Sequence, residues 1–257
     1  MTPSALEVTC DGAIATVRIN RPPANAVNPA MIREFLTVLP TLAAAKHVRC
    51  IVITGTGRFF VAGADIAVMR DLSAGNQAEM RRWIDVQRLL ELAPKPVIAA
   101  MNGHALGGGA ELSLACDLRI LSSKASFGFP EMTLGLFPGA GGSQRLPRLV
   151  GPHLAKRIMI EGERLSPRDA AELGLVDLVA DETEFAEVVA AQARRLAAKP
   201  TAAIGLLKRV IDEGCCLPLE EALRREEKGV RELTRTADAA EGLQAFLDKR
   251  SAVFTGR

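Results

Sequence analysis

Two glutamates in the middle of the chain stand beside glycine-rich stretches, and their surroundings favour acid–base chemistry at an oxyanion site. Glu111 follows three consecutive glycines, Gly107 to Gly109, which separate the strand-like run 96–101 from a helix-like run that begins near Ala110. The first N–H groups of a helix lack internal partners and carry the positive end of its dipole, and glycines let a ligand oxygen approach them. The junction therefore predicts an oxyanion-binding site, with a carboxylate beside it on an apolar helix face where a charge is costly.

The second glutamate, Glu131, lies in the run Phe127-Gly-Phe-Pro-Glu-Met-Thr-Leu-Gly135, again among apolar residues. A further glycine loop follows at 139–142, where phosphate binding has little support because no Gly-Lys-Ser/Thr ending is present. Each feature also has an ordinary structural interpretation. A first-turn glutamate can be only a dipole partner, a glycine-rich turn can serve close backbone packing, and a Pro-Glu pair can simply open a helix.

A third small-residue loop, 58–66, lies between the strand-like run 50–54 and a helical segment, and with it the chain resembles a known family. The resemblance is to the crotonase superfamily of enoyl-CoA hydratases and isomerases, and it extends from Arg21-Pro-Pro-Ala-Asn-Ala-Val-Asn28 to Phe254. Its motifs are Ala62-Gly-Ala-Asp-Ile66, Lys95-Pro-Val-Ile-Ala-Ala-Met-Asn-Gly103, Ala105-Leu-Gly-Gly-Gly-Ala-Glu111 and Phe129-Pro-Glu-Met-Thr-Leu-Gly-Leu-Phe-Pro-Gly-Ala-Gly-Gly142. One departure is Ala67, where a basic residue is common, so one contact to coenzyme A is missing or supplied elsewhere.

The resemblance implies an α/β fold with two parts. Residues 1–199 are expected to form a ββα spiral core of four turns that holds the acyl-CoA site. Residues 200–257, with the break near Pro200, are expected to form a helical trimerisation domain, which implies a homotrimer or a dimer of trimers.

By the same resemblance, the reaction is addition of water across the 2,3 double bond of an enoyl-CoA thioester. Glu111 and Glu131 would be catalytic, and the N–H groups of Ala64 and Gly108 would form the oxyanion hole. The substrate is an acyl-CoA, so coenzyme A arrives with it, and no metal and no separate cofactor are expected. The remaining contacts to the substrate and its coenzyme A are expected at Ala24, Ala62, Asp65, Ile66, Gly107, Pro130, Gly139, Lys249 and Phe254.

Other functions stay open at this stage. Within the superfamily, the alternatives are a Δ3,Δ2-enoyl-CoA isomerase or another reaction through an acyl-CoA enolate, which needs the oxyanion hole but can work with one carboxylate. Outside catalysis, the alternative is a member that only binds acyl-CoA or RNA. Binding of RNA has little support, because the chain has no tyrosine and only 4% aromatic residues.

Composition narrows the class of protein. With 257 residues and a net charge of +2, the chain can bury a sizeable core and shows no strong field for nucleic acid or a membrane surface. No apolar run approaches 18 residues, and the N-terminus has no signal-peptide pattern. The five cysteines are an odd number without metal-ligand spacing, which is typical of reduced thiols. A cytoplasmic protein is therefore expected.

The elements that would position these residues follow from periodicity. Strands at 6–10 and 13–19 are predicted to form a hairpin through Asp11-Gly12, and a helix over 29–46 is predicted to bend or break at Pro40. The stretch 67–91 is amphipathic and contains Trp83, which either fills the core or borders the acyl chain. The last third has helical periodicity, including one long segment over 219–248.

Overall fold

The computed structural model describes residues 4–71 and 74–256, and the fold begins with an antiparallel hairpin. Strand β1 (Leu6–Asp11) pairs with β2 (Ile14–Ile19), and Asp11 lies opposite Ile14 in the ladder. The turn is therefore Gly12-Ala13 rather than the predicted Asp11-Gly12. Gly12 takes φ +54°, a left-handed conformation that glycine adopts without steric cost. Residues 1–3, which begin the N-terminal segment without a signal-peptide pattern, lie outside the described residues.

The hairpin is the edge of a six-stranded sheet in which every later pairing is parallel. The strand order is β1-β2-β3-β5-β7-β10, where the four remaining members are β3 (Cys50–Gly55), β5 (Val97–Met101), β7 (Leu118–Ser122) and β10 (Leu178–Ala180). All six residues of β3 are buried, because the sheet is covered on both faces. Ile51 and Ile53 face the main core, whereas Cys50 and Val52 face a smaller core.

A second sheet of very short strands lies beside the first. It contains β4 (Phe59–Val61), β6 (His104–Leu106), β8 (Phe127–Gly128) and β9 (Arg164–Leu165), of which the first three run parallel and β9 antiparallel. The chain passes from the large sheet to the small one and then into a helix three times, at β3–β4, β5–β6 and β7–β8. This repeat forms a ββα spiral.

The helices cover the sheets and then form the last third of the chain. Those of the spiral are α1 (Pro29–Ala44), α2 (Ile66–Arg70), α3 (Ala74–Arg81), α4 (Trp83–Glu91), α5 (Gly108–Leu114), α6 (Gly142–Val150), α7 (Pro152–Glu161), α8 (Pro167–Glu172) and α9 (Phe185–Ala197). A 3-10 helix spans Pro130–Leu134. The last three are α10 (Thr201–Gly214), α11 (Leu219–Leu233) and α12 (Ala237–Leu247).

Two helix predictions were wrong in detail. Pro40 lies inside α1, so the predicted break does not occur there, and the alternative of a bend stays a prediction. The long segment 219–248 is two helices, because Thr236 caps a new helix by accepting a hydrogen bond from the Ala239 N–H at 3.1 Å. The amphipathic stretch 67–91 is three helices, and its residues 72 and 73 lie outside the described residues.

The C-terminal helices carry many exposed apolar side chains. The exposed set on α10, α11 and α12 consists of Leu207, Ile211, Leu219, Leu223, Val230, Leu243, Phe246 and Leu247. The tail after α12 folds back, since the buried Asp238 accepts hydrogen bonds from the N–H groups of Thr255 and Gly256. Over the described ranges, no helix is both long and apolar enough to cross a bilayer.

Candidate active site

Three neighbouring strands of the small sheet deliver the predicted site residues to one edge. Strand β4 leads into loop 62–65, β6 into Gly107 and α5, and β8 into Phe129 and the 3-10 helix. Because parallel strands end at the same edge of a sheet, their following loops meet there. The small sheet is therefore the element that brings the three motifs together.

A cavity of about 330 Å³ opens at this edge. The four residues with the most specific predicted roles, Glu111, Glu131, Ala64 and Gly108, all line it. Five of the nine predicted contacts to the acyl-CoA also line it: Ala62, Ile66, Gly107, Pro130 and Gly139. The other four, Ala24, Asp65, Lys249 and Phe254, do not.

Two backbone N–H groups are available in the cavity wall. Val27 forms a parallel bridge with Ala64: the Val27 N–H donates to the Gly63 carbonyl, and the Val27 carbonyl accepts from the Asp65 N–H. In a parallel bridge of this kind the N–H of Ala64 itself points away from Val27. No acceptor for it occurs among the described residues. Gly108 is the first residue of α5, and its N–H has no partner within the helix. The two loops abut closely, because a Cβ added at Gly108 would lie 3.7 Å from Gly63 Cα.

The glycine triplet differs from the sequence-based expectation in two respects. Helix α5 begins at Gly108 rather than near Ala110, and the three-residue strand β6 separates it from β5. A Cβ at Gly109 would lie 2.2 Å from the Val61 carbonyl oxygen, so this glycine is required for backbone packing. The ordinary structural interpretation thus holds for Gly109, whereas Gly107 and Gly108 face the cavity.

Glu111 is only 3% exposed, and one of its oxygens is held firmly. Its Oε1 accepts hydrogen bonds from the N–H groups of Ala140 and Gly142, both at 2.9 Å. Burial raises the pKa of Glu111, while the two N–H groups and the charge of Arg145 oppose that rise. The carboxylate is therefore fixed in orientation, and charged groups and donors compensate part of its desolvation.

Glu131 has a different environment. Its Oε2 is buried and has no hydrogen-bond partner within the part of the chain that the structure describes. The pKa of Glu131 is raised to about 7, mainly by burial. A hydrogen bond from its own N–H lowers this pKa, and the negative charge of Glu111 raises it further. The pKa of Glu131 therefore lies near neutral pH, where the carboxyl group can both hold and release a proton. Two carboxyl groups whose pKa values are set by different surroundings are typical of a divided acid–base pair.

Asp65 has a structural task in its own chain. Its carboxylate pairs with Arg21 at 2.6 Å and accepts a hydrogen bond from the Ala67 N–H at 3.0 Å, which caps α2. Burial acts to raise the pKa of Asp65, but these two partners hold it below its usual value. The ion pair ties loop 20–28 to loop 62–65, as does the Ala24 carbonyl, which accepts from the Ala62 N–H at 3.1 Å.

The C-terminal residues expected near coenzyme A lie on the tail. The Phe254 carbonyl accepts a hydrogen bond from the Arg49 guanidinium, and Lys249 is exposed with φ 55°. Their expected contact was with a neighbouring subunit's substrate, and it stays a prediction.

Apart from the predicted site residues, the cavity wall is largely apolar, although Asp71, Asn76, Gln77 and Arg81 also line it. Trp83 lines the cavity and is also a core residue, since it is 2% exposed and packs edge-on against Phe35. Its indole N–H donates to the Gly108 carbonyl at 3.2 Å, so both interpretations of Trp83 apply. The other apolar wall residues are Val27, Val68, Met69, Met80, Ile84, Leu134, Leu136 and Phe137. Such a wall suits a hydrocarbon chain.

The chain is similar to several known proteins. Residues 9–257 match the sequence model of the enoyl-CoA hydratase/isomerase family. A probable enoyl-CoA hydratase of Bacillus subtilis is 38% identical over 98% of this chain and 99% of its own length. A crotonyl-CoA hydratase of Syntrophomonas wolfei is 41% identical over 95% of each chain. The crystal structure of an enoyl-CoA hydratase from Bacillus anthracis superposes with a TM-score of 0.93 at 35% identity, covering 98% of this chain and 100% of that chain.

Proposed function

This chain belongs to the enoyl-CoA hydratase/isomerase family, and we propose that it is an enoyl-CoA hydratase, a hydro-lyase that adds water to a 2-enoyl-CoA thioester. The family and the α/β spiral fold predicted from the sequence are confirmed. The observation that carries the proposal is that two glutamates in different environments line the same cavity as two backbone donors.

The backbone donors would act on the thioester carbonyl. Addition at Cβ moves negative charge onto this oxygen, and the N–H groups of Ala64 and Gly108 would donate hydrogen bonds to it. A single fixed donor of this kind is worth about 100- to 1000-fold in rate. Both donors are backbone groups held by secondary structure, because Ala64 is bridged to Val27 and Gly108 begins α5.

The two carboxyl groups would carry the protons. Glu111 orients water and accepts its proton as the oxygen bonds to Cβ, and Glu131 delivers a proton to Cα. A pKa of about 7 lets Glu131 carry that proton at neutral pH. The proton gained by Glu111 must return to Glu131 before the next cycle. These steps use groups of the chain and of the substrate, so we propose that no separate cofactor takes part.

Isomerisation fits the site less well. Moving a double bond needs one group that carries a proton between two carbons, and Glu131 alone could do this. The burial of Glu111 and its two hydrogen bonds from Ala140 and Gly142 would then serve no purpose in the reaction. The second, positioned carboxylate therefore favours hydration.

For the assembly, we propose a homotrimer or a dimer of trimers built through the helical segment 200–257. The exposed apolar side chains of α10, α11 and α12 support this, because surfaces of this kind are typical of protein interfaces. The division at residues 199 and 200 and the cytoplasmic location stay predictions.

The proposed function is tested by following loss of the enoyl thioester absorbance when the purified protein is mixed with crotonyl-CoA. We expect hydration by the wild type, and a loss of kcat of about 100-fold or more in Glu111→Gln and in Glu131→Gln. Glu182→Gln, at an exposed position, is the matched control and should be unaffected. Absence of hydration in a folded wild type that still binds a saturated acyl-CoA would identify a binding protein instead.

A further inference from the structure

The loop that holds Glu111 also contacts a second charged side chain, that of Arg145. The Ala140 carbonyl accepts a hydrogen bond from Arg145 Nη1 at 3.4 Å, while the Ala140 N–H donates to Glu111. The next residue, Gly141, takes φ +108°, and a Cβ added there would lie 1.9 Å from Arg145 Nη1. The guanidinium thus fills the space that a side chain at position 141 would need, and it packs directly against the loop.

Arg145 is itself fixed by helix α4. Its Nη1 donates to Gln87 Oε1 at 2.6 Å, and its Nε donates to Glu91 Oε1 at 2.5 Å. Gln87 is fully buried, and the side chains of Arg145 and Glu91 are only 16% and 19% exposed. Gln87 and Glu91 are four residues apart and so share one face of α4, which matches the planar, forked guanidinium. The guanidinium is therefore held in one orientation.

The charges around this group oppose each other. The positive charge of Arg145 lowers the pKa of Glu111, which burial raises. Glu91, on α4, forms ion pairs with both Arg145 and Arg88. Burial raises the pKa of Asp212 on α10, and the negative charge of Glu91 raises it further. Glu131 is the remaining carboxyl beside Glu111. Of these groups, Arg145 is the cation that acts on Glu111.

We propose that Arg145 is a positioning residue for the hydration reaction: clamped by Gln87 and Glu91, it shapes the 139–142 loop that orients Glu111 and holds a positive charge near that carboxyl group. Arg145 does not line the cavity, so it acts through Glu111 rather than on the substrate. The inference rests on the proposed hydratase function, in which Glu111 must be a carboxylate to accept a proton from water.

The test combines three variants with opposite expectations in one assay, hydration of crotonyl-CoA as a function of pH. Arg145→Met removes both the fork and the charge, so kcat should fall about 10- to 100-fold with KM changed less than about threefold. The acidic limb of its kcat/KM profile should move to higher pH. Arg145→Lys keeps the charge and should leave that limb near its wild-type position, with a smaller loss of kcat.

Glu91→Gln should shift the acidic limb of the kcat/KM profile in the opposite direction, to lower pH. The amide still accepts from the guanidinium but no longer neutralises it, so Glu111 should stay ionised to lower pH and the acidic limb should move down. A role limited to folding would not shift the limb in opposite directions in the two variants. Because glutamine has the same shape as glutamate, Glu91→Gln should fold, and the position of its acidic limb tests the inference even if Arg145→Met fails to fold.

Arg148→Met is the matched control, because Arg148 lies on the same helix α6, is exposed and bonds only within that helix among the described residues. It should keep wild-type kcat and pH profile. The inference would be overturned if the acidic limbs of Arg145→Met and Glu91→Gln stayed at the wild-type pH or moved in the same direction. It would also be overturned if Arg145→Met kept a kcat within about threefold of wild type. A wild type without hydration activity would instead reject the proposed function.

Discussion

Replacing Glu131 by glutamine should remove hydration and, above pH 7, make the protein more stable. The pKa of Glu131 rises from 4.5 to about 7 on folding, so its contribution to stability is fully present below about pH 4.5 and is lost as the pH rises through about 7. Above that pH, the folded protein must hold a buried carboxylate whose Oε2 has no partner within the described residues. An amide at this position carries no charge at any pH and avoids that cost.

The magnitude follows from the shift in pKa. At about 1.4 kcal/mol for each pKa unit, the full shift corresponds to about 3 kcal/mol. Glu131 lies in a cavity that opens to solvent, and screening there reduces the effect by about half, to about 1–2 kcal/mol. In a chain of this length, that change in the free energy of unfolding corresponds to an increase in Tm of about 2–4 °C at pH 8.5 and of about 1 °C or less at pH 5.

Thermal unfolding of wild type, Glu131→Gln and the exposed control Glu182→Gln at these two pH values provides the measurement. In the wild type, kcat/KM for hydration should also fall as the pH rises through about 7, because Glu131 then loses the proton that it must deliver. An equal difference in Tm at both pH values, or a loss of stability at pH 8.5, would refute the assignment of a destabilising buried carboxylate to Glu131.

The remaining predictions concern the division of labour and the assembly. If Glu111 serves water and Glu131 serves Cα, Glu111→Ala should nearly abolish hydration but keep a larger fraction of any Δ3,Δ2 isomerase activity, whereas Glu131→Ala should abolish both. Equal loss of both activities in the two variants, with saturated acyl-CoA still bound, would favour a shared-proton site instead. Light scattering should show a trimer or a hexamer, since helices α10 to α12 expose apolar side chains, and a monomer at micromolar concentration would contradict this.

The sequence by itself determined the features whose physics is local. The hairpin follows from alternating residues around a glycine turn, although the turn lies one residue later than predicted. The glycine triplet next to Glu111 indicated a helix N-terminus, and the run around Glu131 indicated a carboxylate among apolar neighbours. These predictions depend on backbone conformation and on residue chemistry within a few positions, which the order of residues specifies directly.

Other features depend on contacts between distant parts of the chain, and only the tertiary structure decided them. The small sheet has strands of two or three residues, too short for any periodicity to show, yet it brings the three site loops together. Arg145 meets Gln87 across 58 positions of sequence, and Arg21 meets Asp65 across 44. The raised pKa values of Glu111 and Glu131 likewise arise from burial and from groups on other elements, because desolvation and charge act through space rather than along the chain.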